Sequence, residues 1–169
     1  MTIMQIVESP DELLRQRSKD VEAFGEELRT LIDDMLETMY HENGAGLAAV
    51  QVGQLKRIFI VDISENGNEP IVFINPEIIT ASEKTICFRE GCLSFPGGSL
   101  MIDRPEIVTV RYQDRQGAKQ ELTADGWLSR AIQHENDHLN GVLLIDHVSK
   151  LKADMLNKKV QKHQKQNIE

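Results

Sequence analysis

The sequence predicts an α+β fold, with mostly antiparallel sheets around a central helix that carries a His-Glu-x-x-His motif, and with a C-terminal helix. Two observations lead to this prediction. Stretches of strand-like composition follow one another between residues 57 and 123, and helical patterns lie before and after them. Strands in such a block favour an α+β arrangement over alternating βαβ units. No internal repeat or Pro/Gly/Ser-rich linker interrupts the chain, so residues 1–169 are predicted to form one domain.

Each predicted element has its own signal. A short helical turn is expected at residues 11–17, and apolar residues at helical spacing predict the first long helix at residues 28–40. Turn signals at 65–68 and 114–117 help to bound the predicted strands, which are residues 57–63, 71–74, 77–81, 107–112 and 119–123. A second helix is predicted at about residues 124–140 and a third at about 149–164.

The composition excludes several classes of protein. With 19 Lys and Arg against 27 Asp and Glu, the formal net charge is −8. This charge argues against nucleic-acid binding by the whole surface, and DNA is not an expected partner. No apolar stretch approaches the roughly 18 residues that a membrane helix needs, and the N-terminus lacks the pattern of a secretory signal. We therefore expect a cytoplasmic protein without membrane contacts.

The residues with the clearest chemistry lie in the predicted second helix, in the segment QHENDH at 133–138. His134 and His138 are one helical turn apart and project from the same face, so both imidazoles can bind one metal ion. Glu135 can reach a water molecule at such a site without being a ligand. The same pattern also occurs on solvated helix faces, but the apolar residues that flank it here favour an inward-facing site.

A catalytic metal site of this kind needs three protein ligands and an open position. Upstream, Cys92 in EGCLSFP (90–96) is a candidate because thiolates bind borderline and soft metals strongly, although a lone cysteine is more often a small buried apolar residue. Cys87 in TICF fits that second role. The downstream candidates are Asp146, His147, Asp154 and His163, of which His147 would serve only if Cys92 were not a ligand.

A third segment, GAGLAAVQ at 44–51, has two glycines directly after the first predicted helix. Taken alone, it is either a helix end with a packed loop or a place where the backbone approaches another group closely. Together, the three segments resemble the signature motifs of the peptide deformylases, GxGLAAxQ, EGCLS and QHExDHLxG, in the same order and at the expected spacing. The resemblance covers essentially the whole chain.

The resemblance implies a metal-dependent hydrolase that removes the formyl group from N-formylmethionyl nascent polypeptides and releases formate. The metal ligands would be Cys92, His134 and His138, and the expected ion is Fe²⁺, with Zn²⁺, Ni²⁺ or Co²⁺ able to replace it. One thiolate and two neutral imidazoles leave a net positive charge on a divalent ion, which acidifies water. Glu135 would be the general acid and base.

The resemblance also implies which groups bind the substrate. The side-chain amide of Gln51 and the backbone N–H of Leu93 would stabilise the negative charge that develops on the formyl oxygen, and Gly46 would pair its backbone with the peptide. The apolar pocket for the methionine side chain is expected at Ala45, Phe88, Leu128, Ala131 and Ile132. Ala45 and the pair Gly97-Gly98 depart from residues common in the family, which leaves open the preference for residues after methionine.

Two other functions are compatible with parts of the pattern. One is an endopeptidase of the HExxH type, which would keep its metal without Cys92. The other is a non-catalytic relative that binds metal or formyl peptides, and the presence of both Glu135 and Gln51 argues against it.

The basic C-terminal helix has two interpretations. Residues 148–169 contain six lysines and two acidic residues. The helix either packs its apolar residues on the rest of the protein with its lysines in water, or it contacts the ribosome, as the C-terminal helix of some deformylases does.

Overall fold

The computed structural model describes residues 2–168, and its helices and strands follow the predicted order. The α-helices are α1 (Glu26–His41), α2 (Gly126–Leu139) and α3 (Lys150–Ile168). The strands are β1 (Gly46–Ala48), β2 (Ile58–Val61), β3 (Ile71–Ala81), β4 (Thr85–Glu90), β5 (Leu100–Pro105), β6 (Val108–Gln113) and β7 (Lys119–Ala124). Short 3-10 helices lie at Glu12–Arg15, Ala49–Val52 and Leu144–His147.

The strands form two antiparallel sheets, which confirms the predicted α+β class. The larger sheet has the order β1-β2-β3-β6-β7, and β4 and β5 form a separate two-stranded sheet. The stretches predicted as strands at 71–74 and 77–81 are one continuous strand, β3, with an irregular register against β6 between Ile74 and Glu77. Asn75 lies in this irregularity in a left-handed conformation, with φ +50°, and its side chain bonds the backbone of Val21.

The larger sheet is covered by α1 on one face and by α2 on the other. Neighbouring residues of a strand point to opposite faces, and in β2 the side chains of Ile58 and Ile60 pack with α1, whereas Phe59 and Val61 pack with α2. All four are fully buried or nearly so. The continuous apolar run in β2 is therefore a consequence of burial on both sides, and it places α2 directly against the sheet.

The two-stranded sheet corrects one sequence prediction. Cys87 was expected to be a buried apolar residue, but it is exposed. It lies opposite Asp103, on the same face as Arg89 and Met101, and all four residues are exposed, so this face of β4 and β5 is open to solvent within the described residues. The opposite face carries Glu90, which is buried.

Helix α3 packs against the segment that follows Cys92. Leu156 and Val160 of α3 are buried in one apolar cluster with Phe95 and Leu100. The contact is close because Gly98 has no side chain: a Cβ atom there would lie 2.6 Å from Cδ1 of Leu156. Within residues 2–168, no helix combines the length and the hydrophobicity needed to cross a membrane.

Candidate active site

Three of the predicted residues converge on one point between α2 and the segment after β4. The sulfur of Cys92 and the ring nitrogens of His134 and His138 lie within 4.8 Å of one another. Cys92 Sγ is 3.3 Å from Nε2 of His138, and the two imidazole rings meet edge to face with centroids 5.2 Å apart. Donor atoms about 3.5 Å apart fit around a tetrahedral ion with bonds of about 2.0–2.3 Å. The Cys/His/His cluster therefore suits a divalent metal.

His147, the alternative third ligand, lies outside this cluster. Its Nε2 atom is 2.8 Å from Oδ2 of Asp137, and the side chain is partly exposed. The structure thus brings Cys92, and not His147, to the two histidines of α2.

A buried charge network orients His134. Oε1 of Glu90 lies 2.9 Å from Nδ1 of His134, which leaves Nε2 of the imidazole to face the cluster. Arg104 donates two hydrogen bonds to the Glu90 carboxylate, at 2.6 and 2.9 Å, and Arg130 donates a third. Burial by itself would raise the pKa of Glu90, but the hydrogen bonds from His134 and Arg104 and the charge of Arg104 lower it to about 2. Glu90 is therefore anionic at neutral pH.

Glu135 lies beside the cluster, buried, with its Oε1 atom lacking a hydrogen-bond partner in the part of the chain that the structure describes. A buried polar atom without a partner is costly, so its presence here indicates a place for a water molecule or a substrate. Burial raises the pKa of Glu135 to about 7. The carboxylate lies against the backbone of β1. A Cβ atom added to Gly46 would be only 2.6 Å from Oε2 of Glu135.

The side-chain amide of Gln51 points its nitrogen toward the cluster. Oε1 of Gln51 accepts a hydrogen bond from the backbone N–H of Ala48 at 3.0 Å, and Nε2 lies 3.5 Å from Cys92 Sγ. Leu93 follows Cys92 directly, and Gln51 and Leu93 line the same cavity as Glu135. The structure therefore places Gln51 and Leu93, the two residues predicted to supply oxyanion donors, beside the Cys/His/His cluster.

The cavity has a volume of about 600 Å³ and opens onto Cys92, His134 and Glu135. Its remaining wall includes three of the residues that the sequence assigned to substrate binding, Ala45, Gly46 and Ala131.

Three other residues predicted for the methionine pocket do not line this cavity. Ile132 is fully buried in the core between α2 and the larger sheet, and Leu128 packs against the same core. Phe88 is 45% exposed and packs on the ring of Trp127, with centroids 5.1 Å apart. The expectation that these side chains form the pocket is not supported by their positions.

Trp127 and Arg130 line the cavity instead, and sequence reasoning missed both. They lie seven and four positions before His134, so helical spacing places them on the same face of α2 as His134 and His138. The choice of Leu128 and Ile132 came from the resemblance to the family, whereas the helical spacing counted back from His134 indicates the face that lines the cavity. Arg130 was unexpected in an apolar wall. Its guanidinium forms an ion pair with Glu90 and lies 5.5 Å from the centroid of the Phe88 ring.

Comparisons with known proteins agree with this arrangement. A family model described as polypeptide deformylase matches residues 3–154. The peptide deformylase of Rickettsia akari (strain Hartford) is 49% identical over 169 residues, which cover 96% of this chain and 97% of the relative. Among solved structures, a peptide deformylase from Legionella pneumophila has a TM-score of 0.96 at 44% identity and covers 99% of this chain and 98% of its own. Peptide deformylase from Ehrlichia chaffeensis in complex with actinonin has a TM-score of 0.92 at 41% identity, with 96% of this chain and 98% of that chain covered.

Proposed function

The chain belongs to the polypeptide deformylase family of metal-dependent hydrolases, which remove the N-terminal formyl group of nascent polypeptides, and we propose that Cys92, His134 and His138 hold its metal. The observation that carries this proposal is the convergence of a cysteine sulfur and two imidazoles beside a cavity that an unpartnered buried carboxyl group also lines.

We propose Fe²⁺ as the resident ion, with Zn²⁺, Ni²⁺ or Co²⁺ able to replace it. The donor set supports this range, because thiolate and imidazole ligands suit several divalent transition metals. When bound, such an ion is a Lewis acid that acidifies water and polarises the formyl carbonyl. The choice of Fe²⁺ over the other three ions comes from the resemblance to the family and not from the donor set.

Glu135 is the general base and then the general acid. Its carboxylate accepts a proton from the water molecule that attacks the formyl carbon, and it returns this proton to the leaving amine. Formate and a free N-terminus are the products. Two observations support this role: Glu135 lines the cavity, and its buried Oε1 atom has no hydrogen-bond partner among residues 2–168.

The formyl oxygen gains negative charge in this reaction, and two hydrogen-bond donors stabilise this charge. Nε2 of Gln51 and the backbone N–H of Leu93 donate hydrogen bonds to the oxygen, and loss of one such donor typically costs about 10²–10³ in rate. Both groups lie in the wall of the cavity, next to Cys92, which supports the assignment.

The methionine side chain occupies the cavity between Ala45 and the helical wall of Trp127 and Ala131, and the peptide backbone pairs with Gly46. Phe88 contributes from behind Trp127 and not by direct contact. A pocket of this volume with an aromatic and an aliphatic wall suits a flexible thioether side chain.

The substrate suggests where the protein acts in the cell, and the positive charge of α3 suggests a binding partner. N-formylmethionyl peptides arise during translation, so we propose that the protein acts in the cytoplasm. We further propose that the exposed lysines of α3 contact the ribosome, because lysines on one helix provide the charge that a phosphate backbone attracts.

Formate release from formyl-Met-Ala-Ser tests the proposed function. Wild type and Glu135→Gln are compared after anaerobic loading with Fe²⁺ or with Ni²⁺, and the metal content of both is measured. We expect Glu135→Gln to bind metal and to lose about 10²–10⁴ in kcat, the usual contribution of a general base. A wild type as slow as the variant, with metal bound in both, would falsify the proposal.

A further inference from the structure

We infer that Ser94 is a positioning residue for Gln51, an inference that rests on the function proposed above. Ser94 is fully buried, two positions after Cys92. Its hydroxyl lies 2.7 Å from the carbonyl oxygen of Val7 and 3.0 Å from Nε2 of Gln51. A hydroxyl has one hydrogen, and the Val7 carbonyl can only accept it. The lone pairs of Ser94 Oγ therefore face Gln51, and Gln51 is the donor.

This contact determines how the amide of Gln51 can act. Its Oε1 atom accepts a hydrogen bond from the N–H of Ala48, so the oxygen and nitrogen ends of the amide cannot be exchanged. One of the two N–H groups on Nε2 is directed to Ser94, and the other points toward the Cys/His/His cluster, where it makes a long contact of 3.5 Å to Cys92 Sγ and can turn to the formyl oxygen. Without the hydroxyl of Ser94, the nitrogen end of the amide would be held only by the long contact to Cys92 Sγ, and the catalytic N–H would lose its fixed direction.

The N-terminal segment fixes both partners of this contact. The backbone N–H of Val7 donates to the carbonyl of Gln51 at 2.7 Å, and the backbone N–H of Ser9 donates to the carbonyl of Ser94 at 2.8 Å. This segment is also bound by α3, where Nε2 of Gln164 donates a hydrogen bond to the carbonyl oxygen of Ser9 at 2.9 Å. The direction of one catalytic N–H therefore depends on residues from the start, the middle and the end of the chain.

The expected effect is on turnover and not on substrate affinity. Gln51 interacts with charge that develops only in the transition state, so misdirection of its N–H lowers kcat and leaves KM nearly unchanged. For Ser94→Ala we expect a loss of about tenfold in kcat, the scale of one hydrogen bond, which is smaller than the loss of about 10²–10³ for removal of an oxyanion donor.

A double-mutant cycle separates positioning from general damage to the fold. Formate release is measured for wild type, Ser94→Ala, Gln51→Ala and the double variant, all loaded with metal. We expect Ser94→Ala to lower kcat in the wild-type background and to have no further effect in the Gln51→Ala background. Ser18→Ala is the matched control, because Ser18 is also buried but its hydroxyl has no partner within the described chain. Equal losses from Ser94→Ala in both backgrounds, or no loss at all, overturn the inference.

A second readout does not depend on turnover. In the Zn²⁺-loaded protein, the side-chain amide resonances of Gln51 are identified by their absence from the NMR spectrum of Gln51→Ala. They are expected to shift in Ser94→Ala and to stay in place in Ser18→Ala, and unmoved resonances in Ser94→Ala overturn the inference. A wild type that releases no formate refutes the proposed function and leaves this spectroscopic test unaffected.

Gln164→Ala tests the support that the N-terminal segment gives to this contact, and it does so without altering Ser94 or Gln51. The Gln164 side chain is half-buried, and its removal leaves the buried hydrogen bonds of Ser94 and Gln51 in place. The Gln51 resonances should then shift in the same direction by a smaller amount. Resonances that do not move in Gln164→Ala contradict the role of the N-terminal segment.

Discussion

Gly46 brings the backbone of β1 against the side chain of Glu135. A Cβ atom at this position would lie 2.6 Å from Oε2 of Glu135 and 3.0 Å from its Cδ and Cγ atoms, so the carboxylate would have to move. We expect Gly46→Ala to lower kcat/KM for formyl-Met-Ala-Ser by about 10²-fold, because a catalytic group displaced by about 1 Å can cost that much. Steady-state formate release measures the loss.

Gly25 offers the control for this substitution, because a Cβ atom there would meet no atom of residues 2–168 within 4 Å, apart from its neighbours in sequence. Gly25→Ala should keep the wild-type kcat/KM, and thermal melts should show that both variants are folded. Full activity of Gly46→Ala would be inconsistent with a general base held against β1.

Asp62, at the end of β2, makes stability depend on pH. Its carboxylate accepts hydrogen bonds from the Tyr40 hydroxyl at 2.6 Å, from the Ser64 backbone and hydroxyl at 2.9 and 2.5 Å, and from the Glu69 backbone at 3.1 Å. Burial opposes ionisation, but these hydrogen bonds prevail and hold the pKa of Asp62 below its usual range. Partial burial and the bond to Asp62 raise the pKa of Tyr40 to about 12.

The sign of the effect follows from the lowered pKa. A carboxyl group whose pKa is lower in the folded state stabilises the protein above its unfolded pKa of about 3.9, and this contribution is lost as the pH falls through the folded value. The difference in free energy of unfolding between wild type and Asp62→Asn should therefore shrink between pH 5 and pH 3. Urea unfolding at several pH values measures it, and a constant difference would contradict the lowered pKa.

At the scale of elements, α2 has two faces with different tasks. Ile132 faces the larger sheet and is fully buried, whereas Ala131, its neighbour in sequence, lines the cavity. Ile132→Ala is expected to lower the free energy of unfolding by about 2–5 kcal/mol with little change in KM. Ala131→Leu should instead raise KM for formyl-Met-Ala-Ser about tenfold, because the longer side chain occupies the substrate cavity.

Chemical denaturation and steady-state kinetics on both variants check this division. Each variant is the control for the other, since the two residues are adjacent on one helix. A raised KM in Ile132→Ala with an unchanged free energy of unfolding would contradict this division and support the sequence-based prediction that Ile132 lines the methionine pocket.

The same helix explains how much of the site the sequence could predict. The proposed metal ligands and Glu135 follow from short-range spacing and from motif resemblance, and the structure brings these residues together. The wall of the cavity was predicted less well. The positive charge of Arg130 can lie in this wall because Glu90 neutralises it, and the position of Glu90 depends on the pairing of β4 with β5. Contacts of that kind join residues that are distant in sequence, and no local pattern contains them.

The two-stranded sheet was not predicted for a related reason. Sequence patterns identify strands by apolar residues on the buried face. In β4 the buried residue is the charged Glu90, while Phe88 is exposed. In β5, Leu100 and Ile102 are buried, but they share their face with Arg104, which pairs with Glu90, so the apolar pattern is too short to stand out. The helices and the long strands were predictable because burial alone dictates their pattern. Strand β1 has only three residues, too few for a pattern to emerge.

At the scale of the whole molecule, the negative charge belongs to the body and the positive charge to α3. All six lysines of α3 are exposed, while Leu156 and Val160 are buried against the segment after Cys92. Truncation of α3 would therefore expose part of the core, and it would confuse loss of a ribosome contact with loss of stability. Substitution of lysines at the surface changes the charge and leaves the packing intact.

Lys158, Lys162 and Lys165 lie on one exposed face of α3, at spacings of four and three residues. If α3 contacts ribosomal phosphates, their joint substitution by glutamine should weaken co-sedimentation with ribosomes. The slope of log affinity against log salt concentration should fall by about 1 for each lysine that contacts a phosphate. Formate release from a short peptide should be unchanged, because these side chains are not in the cavity wall.

The matched control replaces three exposed lysines of the body, Lys19, Lys84 and Lys119, by glutamine. Both triple variants change the net charge equally, so a general effect of charge would weaken both alike. A contact through α3 predicts a loss only in the α3 variant, since phosphate contacts depend on where the lysines lie and not on their number alone. Equal binding by wild type and both variants across the salt range would leave the lysines of α3 as a solvated face whose role is to keep the helix in water while its apolar residues pack on the body.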